Sequence, residues 1–129
     1  KLIILLPTCP FRTAEDIKNA LDLYNLKKGK YLMSISSYSH NPFSAMNISD
    51  DNFLTPYFDE YIGKNTQELP NAYRANGAIH ILDIKSFVKS RSYYQQPLIG
   101  FQMPSIRSID IDTYEDLLFA KFILSKGLV

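Results

Sequence analysis

The chain has 129 residues, 14 Lys and Arg against 13 Asp and Glu, a net charge of +1 and 46% hydrophobic residues. That length supports one core and one domain at most, and the balanced charge excludes the basic field a nucleic-acid binder needs. The longest apolar run, "LIILL", is too short to cross a bilayer, and the single cysteine, Cys9, rules out an internal disulfide and suits a reducing, cytoplasmic setting.

The opening "KLIILLP" is continuously apolar, as in a strand of a parallel sheet covered on both faces. Thr13 then caps a helix predicted from Ala14 to about Leu26, with Asp16 near its third position and an apolar stripe of Ile17, Ala20, Leu21 and Tyr24. Tyr31 to Ser37 reads as the next strand, which would complete a βαβ unit with a right-handed crossover. Periodicity fades from Tyr38 to Pro70, a stretch too long for a simple connection and read as a functional excursion or arm.

Gly77 to Leu82 resumes a strand, Asp83 caps a short helix through Val88, and Leu98 to Met103 is a further strand. In "SIDIDT", Ser108 to Thr113, period-2 alternation predicts a strand with Ser108, Asp110 and Asp112 on one face. Two carboxylates roughly 6 to 7 Å apart on that face repel unless a cation or basic group lies between them. One reading is a hard divalent cation, because Mg2+ is held by one or two carboxylates together with substrate phosphates. The other is a capping box, Asp112 with Glu115 or Thr113 with Asp116, starting the C-terminal helix; that use needs only one of the two aspartates. The glycines are too scattered for a phosphate-cradling loop, so the chain reads as the later part of a larger domain.

Three segments carry a resemblance: "LLPTCPFRTAEDIKNALDLY", "QELPNAYRANGAIHI" and "MPSIRSIDIDTYEDLLFAK". In this order they resemble motifs of the acylneuraminate cytidylyltransferases, the CMP-sialic acid synthetases and their relatives for legionaminic and pseudaminic acids, in the C-terminal part of that family only. The resemblance implies a Rossmann-like nucleotide-diphospho-sugar transferase fold, α/β with a mostly parallel sheet, whose N-terminal nucleotide-loop part has no counterpart here. It implies transfer of CMP from CTP to a nonulosonic acid with release of pyrophosphate by the intact protein, Mg2+ held by Asp110 and Asp112, and a homodimer joined through an arm at about residues 38–70. The isolated fragment is expected to be inactive. Thr8, Arg12, Arg74, Asn76, His80, Tyr93 and Tyr94 match positions at or near the sugar. Beside these stand plainer readings: Arg12 stabilising the helix start, Arg74 and Asn76 forming a turn, and the tyrosines packing. Leu6, Ser44, Thr66 and His80 depart from the family pattern, and the losses at 44 and 66 remove positive charge where an anionic sugar binds. That points either to a sugar acid other than N-acetylneuraminate or to a non-catalytic remnant that dimerises. Cys9 as a nucleophile with His40 or His80 finds no support in spacing.

Overall fold

The computed structural model describes all 129 residues. They form two compact units, one of residues Lys1–Ser36 and Ala75–Val129, the other of Ser37–Arg74.

In the larger unit, β1 (Leu2–Ile4) leads to α1 (Ala14–Leu26). Helix α1 starts where a capping box forms: the Asp16 N–H donates to Thr13 Oγ1 (3.1 Å), and Asp16 Oδ2 accepts from the Thr13 N–H (2.9 Å). β2 (Tyr31–Ser37) follows as predicted and is buried over most of its length. The chain returns in β5 (Tyr73–Leu82), followed by α2 (Ile84–Ser90), which Asp83 caps through the Ser86 N–H (2.8 Å). β6 (Leu98–Gln102) and α3 (Tyr114–Ser125) complete the unit.

The sheet runs in the order β1-β5-β2-β6. β2 and β6 are parallel, Tyr31 opposite Leu98, but β1 pairs antiparallel with β5, Leu2 opposite Leu82 and Ile4 opposite His80. The expected mostly parallel sheet is therefore a mixed one. β5 arrives from the long 37–72 excursion instead of a helical crossover, so nothing obliges it to run with β1. It also separates β1 from β2, which do not pair as a βαβ unit. β1 is an edge strand, and Leu2 and Ile3 each stay 37% exposed, so the apolar run is not covered on both faces.

The core joins α1 to the sheet. Cys9, Ala20, Tyr24, Leu32, Ala78, Ile79, Ile81 and Met103 are buried together, with Ile17, Leu21, Ile99 and Phe101 packed against them.

"SIDIDT" is not a strand. Ser108 has φ −106° and ψ 22°, outside extended geometry, and the one backbone-to-backbone hydrogen bond from residues 109–112 runs from the Ile111 N–H to the Thr8 carbonyl (2.9 Å), while the Asp112 N–H donates to Asp116 Oδ2 (3.2 Å). The alternating pattern imitates a strand, but no neighbouring ladder receives the segment. Of the two capping alternatives the chain uses Thr13's counterpart at the other helix: the Asp116 N–H donates to Thr113 Oγ1 (3.2 Å), and Asp116 Oδ2 accepts from the Thr113 N–H (2.9 Å). Neither the Asp110 nor the Asp112 carboxylate is used as a cap.

In the smaller unit, β3 (Met46–Ile48) and β4 (Leu54–Pro56) form an antiparallel hairpin among three 3-10 turns. Phe43 packs edge-on against Phe58 with ring centroids 5.1 Å apart, and against Tyr61 at 4.9 Å.

Candidate functional site

The loop after β1 is shaped by its own hydrogen bonds. The Cys9 N–H donates to the Leu6 carbonyl (3.3 Å), and Arg12 Nη1 donates to the carbonyls of Leu6 (2.6 Å) and Cys9 (2.8 Å). Arg12 thus clips the turn ahead of α1, the plainer of its two readings. The Thr8 carbonyl accepts from Ile111, which ties this loop to the segment bearing Asp110.

Cys9 is fully buried, with Sγ 3.0 Å from the Asn76 carbonyl and 3.6 Å from Asp110 Oδ1. Burial and then the charge of Asp110 push the thiol up to about 11, against a smaller opposing effect from Thr8 and Arg12. A thiol held neutral in this way is a hydrogen-bond donor and not a nucleophile.

Asn76 is buried and fully engaged in structure. Its Oδ1 accepts from Ser34 Oγ (2.5 Å) and the Ala78 N–H (3.2 Å), and its Nδ2 donates to Ser108 Oγ (2.8 Å). Ser108 in turn donates to the Pro104 carbonyl (2.8 Å). The side chain predicted to face a ligand instead joins β2, β5 and the segment leading to Asp110. Gly77 follows at φ +71°, where a side chain would begin 2.9 Å from Leu6 Cδ1, 3.4 Å from Cys9 Sγ and 3.7 Å from Asp110 Oδ2. Only glycine allows Leu6, Cys9 and Asp110 to close on the strand there.

Asp110 is half-buried and Asp112 exposed. No salt bridge reaches either, the one ion pair of the chain joining Arg107 to Asp16. The chain assembles no cluster of three or more metal-ligating side chains. Two carboxylates without an ion-pair partner are by chemistry the kind of donors a hard cation takes together with phosphate oxygens and water, although, without the strand, the two no longer share a face by backbone alternation.

Leu6 also borders a second feature. With Ile4, His80 and Tyr93 it lines a cavity of about 120 Å3. His80 is 8% exposed, its Nδ1 has no hydrogen-bond partner, and burial holds its pKa below the ordinary histidine value. The Tyr93 ring stands edge-on to the imidazole at 5.5 Å and packs against Tyr94 at 4.8 Å. The cavity is small against the several hundred Å3 of a typical ligand pocket and offers room for a substituent, not a whole sugar.

The structure therefore brings Thr8, Asn76 and Asp110 together around Cys9 and Gly77, and His80, Tyr93 and Tyr94 together beside Leu6. Arg12 turns to backbone carbonyls, Asp112 makes no side-chain contact with the rest, and Arg74 is an exposed residue of the smaller unit. Two of the four departures, Leu6 and His80, line one cavity, while Ser44 and Thr66 fall in the smaller unit. Sequence reading missed the Asp16–Arg107 bridge, whose partners lie 91 residues apart. It also missed Ser34, although a serine among "YLMSISS" apolar residues was the available signal.

No protein-family model matches the chain. Over 114 residues, 87% of its length, it is 33% identical to a CMP-N,N'-diacetyllegionaminic acid synthase of Legionella pneumophila, of which it covers 48%. It is 25% identical over 118 residues to an N-acylneuraminate cytidylyltransferase of Streptococcus agalactiae, covering 29% of that protein, and 23% identical over 119 residues to a pseudaminic acid cytidylyltransferase of Campylobacter jejuni, covering 51%. The resemblance carried by the three motifs thus extends along most of the chain, which spans about half the length, or less, of the curated relatives it matches.

Proposed function

From its similarity to part of the acylneuraminate, legionaminic and pseudaminic acid cytidylyltransferases, we propose that the chain is part of a CMP-sugar synthetase, cytoplasmic as its single cysteine suggests. The intact protein joins CMP from CTP to a nonulosonic acid and releases pyrophosphate. The observation that carries this reading is the 33% identity over 87% of the chain to a CMP-N,N'-diacetyllegionaminic acid synthase; Asp110 and Asp112, which serve neither as helix cap nor as ion-pair partner, are the carboxylates left for it.

Asp110 and Asp112 would hold Mg2+, which when bound supplies charge neutralisation at the phosphates and favours a deprotonated attacking hydroxyl. The rest falls to the chain. Cys9 and Gly77 fix the Asp110 side of the site and leave no room for another side chain there. Leu6, Ile4 and Tyr93 line the cavity beside it together with His80, whose imidazole burial keeps neutral. That cavity, small and mostly apolar in its lining, suits a small apolar substituent of the sugar. Arg74 offers a guanidinium with no ion-pair partner to a carboxylate or phosphate. The smaller unit would dimerise two copies, since its hairpin exposes Met46, Ile48, Phe53 and Leu54 by 54 to 75%.

The test is CMP-sugar formation by the intact protein from CTP, Mg2+ and a panel of nonulosonic acids, read by mass spectrometry. Turnover with at least one acid is expected, with Asp110→Asn and Asp112→Asn each lowering kcat about a hundredfold or more. No product with any of them overturns the reading, and the isolated 129-residue piece is expected to give none.

A further inference from the structure

We infer that Asp16 and Arg107 form a positioning device for the Asp110/Asp112 pair, setting how tightly those carboxylates take a divalent cation. The inference rests on the proposed role of the two aspartates as Mg2+ ligands and goes beyond it, to residues that touch neither metal nor substrate.

The segment from Pro104 to Thr113 has no strand ladder to hold it. Its course is set by a few separate ties, and the two carboxylates sit between them. At one end Arg107, the last residue of the 3-10 turn Ser105–Arg107, reaches helix α1: Nη2 donates to Asp16 Oδ1 (2.7 Å) and Nε to Asp16 Oδ2 (3.1 Å). This two-pronged fork fixes orientation as well as distance, which a single contact from an ammonium group cannot do. Ser108, the next residue, is held by Asn76, and Ile111 by the Thr8 carbonyl. At the far end Thr113 is locked into the cap of α3.

Asp16 suits the anchoring role because it is itself held on several sides. Its side chain is 7% exposed, and Oδ2 also accepts from the N–H and the hydroxyl of Thr13, both at 2.9 Å. A carboxylate with four donors, on the first turn of a helix that packs into the core, is a rigid reference point. The bridge therefore transmits the position of α1 to a segment whose next three residues reach Asp110. It also commits Arg107, the basic residue nearest in sequence to the pair, to Asp16, leaving Asp110 and Asp112 uncompensated for a cation.

The test uses the intact protein and two readouts. Mn2+ alone is titrated against the protein and followed by water proton relaxation, and CMP-sugar formation is measured against Mg2+ concentration. Arg107→Gln and Asp16→Asn are each expected to raise the half-saturating concentration of both metals about five- to tenfold, while kcat at saturating Mg2+ stays within about threefold of the parent. Arg107→Lys, which keeps the charge and loses the fork, is expected to fall between parent and Arg107→Gln. Ile81→Val, a core change that leaves the side chains of the bridge intact, reports what lost stability alone does and should leave the metal constants unchanged.

Unchanged metal constants in both bridge variants, with only the melting temperature lowered, overturn the inference, as does an equal shift in Ile81→Val. If the glutamine and asparagine variants do not fold, Arg107→Lys decides by the same criterion. A parent protein that binds Mn2+ but forms no CMP-sugar refutes the proposed reaction, and the Mn2+ titrations still decide the positioning role. A parent that binds no Mn2+ overturns the metal assignment and this inference together.

Discussion

His80 shows how one side chain carries both a cost and a use. Its ring is buried with Nδ1 unpartnered, and burial lowers its pKa, so the folded protein binds its proton less readily than the unfolded chain does. Well above the ordinary histidine value of about 6.5 both states are neutral at this position and it adds no pH dependence. As pH falls through that value the unfolded chain takes up the proton first, so stability declines until folded His80 protonates in turn. The melting temperature is therefore expected to drop between pH 7.5 and pH 5.5, and His80→Phe, which keeps the ring volume and removes the titration, should flatten much of that drop. A slope that His80→Phe leaves unaltered would place its origin elsewhere.

At the level of elements, the start of α1 joins stability to the site. Thr13 receives the Asp16 N–H and gives Asp16 two of its four donors, so Thr13→Ala removes a cap and loosens the anchor of Arg107. A loss of about 1 to 2 kcal/mol, the upper part of the range for cap removal, is expected in urea unfolding. The helices were legible in the sequence because caps and periodicity are local: Thr13 with Asp16, Asp83 with Ser86 and Thr113 with Asp116 all lie within four residues. β2 and β6 were legible for the same reason, as short apolar runs bounded by turns. What could not be read depended on the rest of the chain. The direction of β5 against β1 follows from how the 37–72 excursion returns. "SIDIDT" alternates like a strand but has no neighbour to pair with, and the contact of Asp16 with Arg107 leaves no trace in the spacing of either. Within the site, His80 as a buried pocket histidine was legible from its place in a strand, whereas the role of Asn76 as a buried bracket between strands was not, because its partners Ser34 and Ser108 are distant in sequence.

For the molecule as a whole, the smaller unit makes the plainest commitment. β3 and β4 place Ile48 opposite Leu54 with both side chains about 60% exposed, an expensive surface for a hairpin to leave to water. Light scattering of the intact protein is expected to give a dimer, and Ile48→Asp with Leu54→Asp to give a monomer with an unchanged circular dichroism spectrum. A monomeric parent would remove the dimerisation role of this unit.

The single buried thiol turns the larger unit into its own clock. With its pKa near 11 and no solvent contact, Cys9 is inert to iodoacetamide while the unit is closed. Once exposed it regains ordinary thiol reactivity, so the alkylation rate counts openings of the closed form. Since Cys9 touches Asp110, a divalent cation bound there should slow that clock by holding the unit shut. Labelling rates with and without Mg2+ would then report binding at the carboxylates without any substrate, and equal rates at saturating Mg2+ would argue against it.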